Sequence, residues 1–186
     1  MHYFEGYEIT ALLQAAYERN RVHHLLMLVS LCHGLRVSEA IGLTSADVQG
    51  TSLVVRALKE CPDQIQPLHF SDTALFDERS LVWHAGAIAD SATKDKRLFP
   101  MCRQRADQLI RRYGRIAGVI AAKCHFHTWR HSTAMLVWET SHSLSQVQQV
   151  LGHRSMSTSI IYLRESDRNK GLVSLRTGLE SVAACK

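Results

Sequence analysis

The chain has 186 residues, enough for one well-cored domain that buries roughly 70% of its unfolded surface. Its 46% hydrophobic and 21% charged residues are ordinary for a soluble globular protein, and no apolar run approaches the roughly 18 residues of a membrane span. The net charge is +5, unevenly placed: Lys94 to Arg130 holds ten Lys/Arg against two acids, Asp95 and Asp107, an asymmetry that suggests a polyanionic partner.

The start, Met1-His2-Tyr3-Phe4-Glu5, is no secretory signal. Five cysteines without a C-x-x-C pair favour free thiols in a reducing compartment, so a cytoplasmic location is expected.

In chain order, Glu8 to Tyr17 places Ile9, Leu12, Leu13 and Ala16 on one helical stripe. Val22 to Leu31 is more apolar and reads as a buried helix stopped at Gly34. Ser38 can cap a short helix carrying Glu39, Ile41 and Leu43. The pattern then changes. Leu53 to Val55 reads as a strand, Cys61-Pro62-Asp63 as a turn, and Ile65 to Leu68 as a returning strand that Pro67 confines to an edge or a strand end. Helical patterns resume over Asp72–Trp83, Arg103–Ile116, Thr128–Glu139, Ser145–Leu151 (stopped by Gly152) and Ser157–Tyr162. The expected fold is mainly α with a small antiparallel β-sheet, in one domain spanning 1–186.

Three phrases carry the chemistry: Gly34-Leu35-Arg36-Val37-Ser38-Glu39, then His127-Thr128-Trp129-Arg130-His131, then Leu151-Gly152-His153-Arg154-Ser155 running on to Tyr162. Breaking a phosphodiester without a metal needs a nucleophile, cations for the non-bridging oxygens and an acid for the leaving 5′ oxygen. Arg36 and Arg130 suit the second task, because a guanidinium stays charged and donates two parallel hydrogen bonds to a phosphate. The helix pattern puts Arg130 in a first turn, whose amides also favour an anion. Histidine as a residue type titrates near neutrality, so His127 and His153 suit proton transfer or a hydrogen bond to the phosphate.

These phrases resemble the catalytic set of the tyrosine recombinases, the phage-integrase family, over nearly the whole chain. The resemblance implies an integrase-like catalytic domain of the DNA breaking-rejoining fold. It implies that Tyr162 attacks DNA to give a 3′-phosphotyrosine, that Arg36 and Arg130 clamp the scissile phosphate, and that His127 serves proton transfer. By the same resemblance His153 hydrogen-bonds the phosphate, Lys59 in the strand-to-strand turn is the general acid, Glu39 braces Arg36, and His131 supports. The turn Glu60-Cys61-Pro62-Asp63-Gln64 departs from the usual Gly/Lys/Arg-rich wording, and Trp129 stands where Leu is usual.

Within the basic stretch, Arg103, Arg105, Arg111 and Arg112 are the candidate DNA contacts. The implied partners are double-stranded DNA and further recombinase subunits in a tetrameric synapse, with no cofactor, metal or membrane. The family's N-terminal core-binding domain is expected to be absent from this chain. Two other readings remain: type IB topoisomerase-like relaxation, and a DNA-binding module without activity. A zinc site is disfavoured, because Thr128 stands where H-E-x-x-H has its Glu and no fourth ligand joins Cys124, His125 and His127.

Overall fold

The computed structural model describes residues 3–56 and 63–152. Lys59, His153 and Tyr162, and the expected helix at 157–162, lie outside the described residues.

Helices α1 (Gly6–Arg19) and α2 (Arg21–Cys32) pack on one another and are joined at Asn20, whose side chain accepts from the His23 amide and starts α2. Every residue from His24 to Leu31 is buried, so α2 is the axis of the core, as its unbroken apolar run predicts. It ends at Gly34 in a left-handed conformation (φ +58°). A Cβ there would stand 2.8 Å from Leu151 Cδ2, so two separate demands, the turn and the close approach, require glycine.

The short helix α3 (Val37–Gly42) follows. Ser38 lies inside it and does not cap it: Arg36 occupies the cap, and the Glu39 carboxylate reaches back to its amide. Three strands, β1 (Val48–Gln49), β2 (Ser52–Val55) and β3 (Gln64–Pro67), make an antiparallel sheet in that order. The two expected strands are present and β1 is an addition too short to read from sequence.

The helix expected over Asp72–Trp83 begins instead at Arg79, as α4 (Arg79–Asp90). Residues 71–78 are taken up by side chain-to-backbone bonds that compete with helix. Asp77 accepts from the Ser71 amide, and Glu78 accepts from the His69 amide at 2.7 Å. Helix α5 (Arg103–Ile116) has the expected bounds. Helix α6 (Phe126–Ser141) starts two residues before the expected Thr128, because Asp107 of α5 accepts the Phe126 amide at 3.0 Å and caps it from a neighbouring element. Helix α7 (Leu144–Leu151) is capped by the Ser143 hydroxyl and stops at Gly152 (φ +59°).

Trp129 is fully buried, edge-on to Phe4 with ring centroids 5.4 Å apart, and its indole N–H donates to the Met27 carbonyl at 2.8 Å. It packs where an apolar residue was expected and adds a polar tie between α6 and α2. Among the described residues no helix is long and apolar enough to cross a membrane.

Candidate functional site

The end of α2, the start of α3 and the first two turns of α6 converge on Glu39. Its side chain is 5% exposed. Oε1 accepts from Arg36 Nη1 at 2.6 Å, and Oε2 accepts the Arg36 amide at 2.7 Å. Arg130 Nη1 lies 3.6 Å from the same Oε2. One buried carboxylate therefore holds both candidate arginines, a wider part than the bracing of Arg36 expected from sequence. The physical reason is simple: two guanidinium groups crowded together repel unless an anion stands between them.

The two arginines differ in setting. Arg36 is 47% exposed at the side chain, whereas Arg130 is 5% exposed. Arg130 donates through Nη1 to the Gly34 carbonyl and through Nη2 to the Leu151 carbonyl at 2.6 Å. It thereby stitches the ends of α2 and α7, the second of which leads into His153. Because α6 begins at Phe126, Arg130 is its fifth residue and opens its second turn. The expectation of a first-turn position is corrected; the first turn holds His127 instead, with the early amides of the helix near it.

His127 is exposed and lies edge-on to His131, with ring centroids 4.1 Å apart at 74°. Burial of its inner side, then the charges of Arg130 and Arg36, hold its pKa below the ordinary 6.5. At neutral pH its imidazole is uncharged and can accept a proton. His131 is buried behind it, in keeping with a supporting place.

From His127 an open groove of about 1330 Å³ runs between α3 and α5. Val37 and Ile41 form one wall, and Arg103, Gln104, Gln108 and Arg111 line the other. Arg111 is oriented by Asp107, which accepts from Nε at 3.0 Å, and its Nη2 lies 3.2 Å from His125 Nδ1. Asp107 thus both caps α6 and aims Arg111 (sequence reasoning did not single it out, though its place at 103/107/111, one helical face, was visible).

The four candidate DNA-contacting arginines are not brought together. Arg103 and Arg111 line the groove. Arg105 and Arg112 lie on the far rim of the exposed arc of α5, where their charges reach His23 at the start of α2 and help burial to lower its pKa. The thiols of Cys32, Cys102 and Cys124 are free.

A helical domain with a small antiparallel sheet is a fold that solved proteins share. The model of the phage integrase family matches residues 2–169, and the chain belongs to that family. It is 32% identical over 136 residues to the tyrosine recombinase XerD of Yersinia pestis, covering 69% of this chain and 45% of that protein. It is 26% identical over 167 residues to the type 1 fimbriae regulatory protein FimE of Escherichia coli (strain K12), covering 86% of this chain and 84% of FimE. The crystal structure of the XerH site-specific recombinase bound to palindromic difH substrate, a post-cleavage complex, superposes with a TM-score of 0.73. That match has 20% identity and covers 93% of this chain and 52% of XerH. The chain therefore spans about half the length of XerD and XerH and most of the length of FimE.

Proposed function

We propose that residues 1–186 form the catalytic domain of a site-specific DNA recombinase, of integrase or invertase type, that cuts and rejoins duplex DNA through a 3′-phosphotyrosine on Tyr162. The observation that carries this reading is Glu39, which holds Arg36 and Arg130 side by side next to His127 at the head of a basic groove. A scissile phosphate seated there meets two guanidinium groups fixed before it arrives. The charge that builds on its oxygens is then stabilised without reorganisation.

In this reading the Tyr162 hydroxyl attacks phosphorus, the bond to the 5′ oxygen breaks, and Lys59 gives that oxygen its proton. His127, neutral at pH 7, takes or relays the tyrosine proton. His153 donates to a non-bridging oxygen. The phosphotyrosine retains the energy of the broken bond, so a free 5′ hydroxyl from another strand can reverse the step without ATP or a metal. Similarity to proteins named recombinases favours strand exchange over relaxation alone. The partners in this reading are duplex DNA and other subunits assembled on it as a tetramer, in the cytoplasm of a bacterial cell.

The test is trapping on a nicked suicide duplex. The wild-type chain should migrate with DNA in a denaturing gel, and Tyr162→Phe should bind DNA yet leave no adduct. An adduct formed by the Phe variant at the wild-type level would remove Tyr162 from the reaction.

A further inference from the structure

Strand β3 is built inside out. Its exposed positions are Ile65, at 73%, and Pro67, while Gln64 and Gln66 face the protein on the same side as Leu53 and Val55 of β2. A strand placed only to bury surface would do the reverse. The glutamines instead form a directed chain. Gln66 Oε1 lies 2.8 Å from His33 Nδ1, Gln66 Nε2 donates to Gln64 Oε1 at 3.0 Å, and Gln64 Nε2 donates to the Gln149 carbonyl of α7 at 3.2 Å. Because Gln66 Oε1 can only accept, the His33 proton on this side sits on Nδ1.

The chain is anchored at its inner end. His33 Nε2 is 3.2 Å from Glu78 Oε1, the two atoms facing one another off the line of a straight hydrogen bond. Both side chains are buried, at 2% and 0% exposure, and Glu78 Oε2 fastens the His69 amide just beyond β3. Gly152 fits against the outer end, where a Cβ would meet Gln64 Nε2 at 3.1 Å.

The two ends of this relay differ in what else holds them. The end of α7 is also fixed by Arg130 on the Leu151 carbonyl and by buried Val147 and Leu151. Among the described residues β3 is an edge strand, paired only with β2. The relay therefore acts on β3, whose first residue, Gln64, follows Lys59 by five positions in the chain. We infer that Gln64 and Gln66, backed by His33 and Glu78, are positioning residues that set β3, the strand that follows Lys59 in the chain, against the end of α7, and so serve the transfer of the Lys59 proton to the leaving oxygen. This rests on the proposed role of Lys59.

The experiment uses the full chain and two suicide duplexes, one ordinary and one with sulfur at the 5′-bridging position, whose thiolate leaves without needing a proton. Gln64→Met and Gln66→Met should each slow cleavage of the ordinary duplex by roughly tenfold or more, the size expected of a misplaced catalytic group. Both should cleave the sulfur duplex near the wild-type rate and bind DNA as the wild type does. His33→Asn keeps a donor toward Gln66 and should lose less than His33→Leu. Gln64→Met leaves His33 and Glu78 untouched, so it decides the matter if the inner variants fail to fold. Equal losses on both duplexes, or no loss, with Lys59→Ala still rescued by sulfur, would overturn the relay alone. Failure of sulfur to rescue Lys59→Ala would overturn the Lys59 reading and the relay with it.

Discussion

At the scale of single residues, Arg36 and Arg130 separate into a chemical and a doubly committed group. Each should lose on the order of 10²–10³ in cleavage when changed to Ala, the usual effect of removing one preorganised donor. Their effects on stability should part. Arg130→Ala leaves the Gly34 and Leu151 carbonyls without their donor and half-empties the Glu39 contact, so a loss of about 3–5 kcal/mol is expected. Arg36 is nearly half exposed, but it donates to Oε1 of buried Glu39, which keeps Arg130 3.6 Å from Oε2 and the residue-36 amide, so its cost should be smaller, about 1–2 kcal/mol. Urea unfolding of both variants checks this, and equal losses would contradict it. Lysine at either position should rescue cleavage poorly, since one ammonium cannot serve two acceptors in a fork. His127 offers a second test. Its ring is held below 6.5 by burial first and by the two arginines after it. Its NMR titration midpoint should therefore rise in Arg36→Ala, a readout that needs no activity. Cleavage that requires the neutral ring should be flat above about pH 6.5 and fall on the acid side. An unmoved midpoint would mean that the arginine charge does not reach the ring.

At the scale of elements, α5 carries the next prediction. Arg103 and Arg111 line the groove, whereas Arg105 and Arg112 point to the α2 side. Replacing the first pair by Gln should weaken duplex binding and lower the salt slope by roughly one for each phosphate no longer neutralised. The same change at Arg105 and Arg112 should do much less, and equal effects would place DNA across the whole exposed arc. The bounds of α5 were legible in the sequence because Ala106, Leu109, Ile110 and Tyr113 form an apolar stripe on an otherwise polar helix. Its two arginine rims were not, because a run of like charges along the chain does not say which way each side chain faces. The start of α4 was misplaced because Asp77 and Glu78 satisfy backbone amides before Arg79, and no local propensity reveals such distant partners as His69. The same limit hid the glutamine relay. A period-2 reading of β3 turns Ile65 inward, and only tertiary partners explain why Gln64 and Gln66 take that side. Of the site, Arg36, Glu39, His127 and Arg130 were legible as a motif. What the motif did not contain is that one carboxylate serves both arginines, since the meeting of α3 with α6 is a property of packing.

At the scale of the whole molecule, three histidines give the fold an acid limit. His23 and His127 are held below 6.5 by burial and nearby arginines, and His24 by burial and Arg21 against an opposing hydrogen bond to the Leu75 carbonyl. From about pH 7.5 upward, well above 6.5, these rings are neutral whether the chain is folded or not, and they add no pH dependence. Below it the unfolded chain takes up protons that the folded one refuses, so stability falls as pH falls. Melting temperature should therefore be level above about pH 7.5 and drop progressively through pH 6.5 to 5.5, and a rise on acidification would refute this. The joint between α2 and α7 sets a second limit. Gly34→Ala puts a Cβ against Leu151 in a left-handed turn, and a cost of order 1–3 kcal/mol is expected in thermal melts. That joint is also where Arg130 makes its two carbonyl bonds, with a consequence for genetics. In a cell, a variant a few kcal/mol less stable is cleared by proteases. An Arg130 allele that scores as inactive would thus mix lost chemistry with lost protein. Arg36, whose side chain touches neither carbonyl of that joint, is the position at which an inactive allele would report more directly on the reaction.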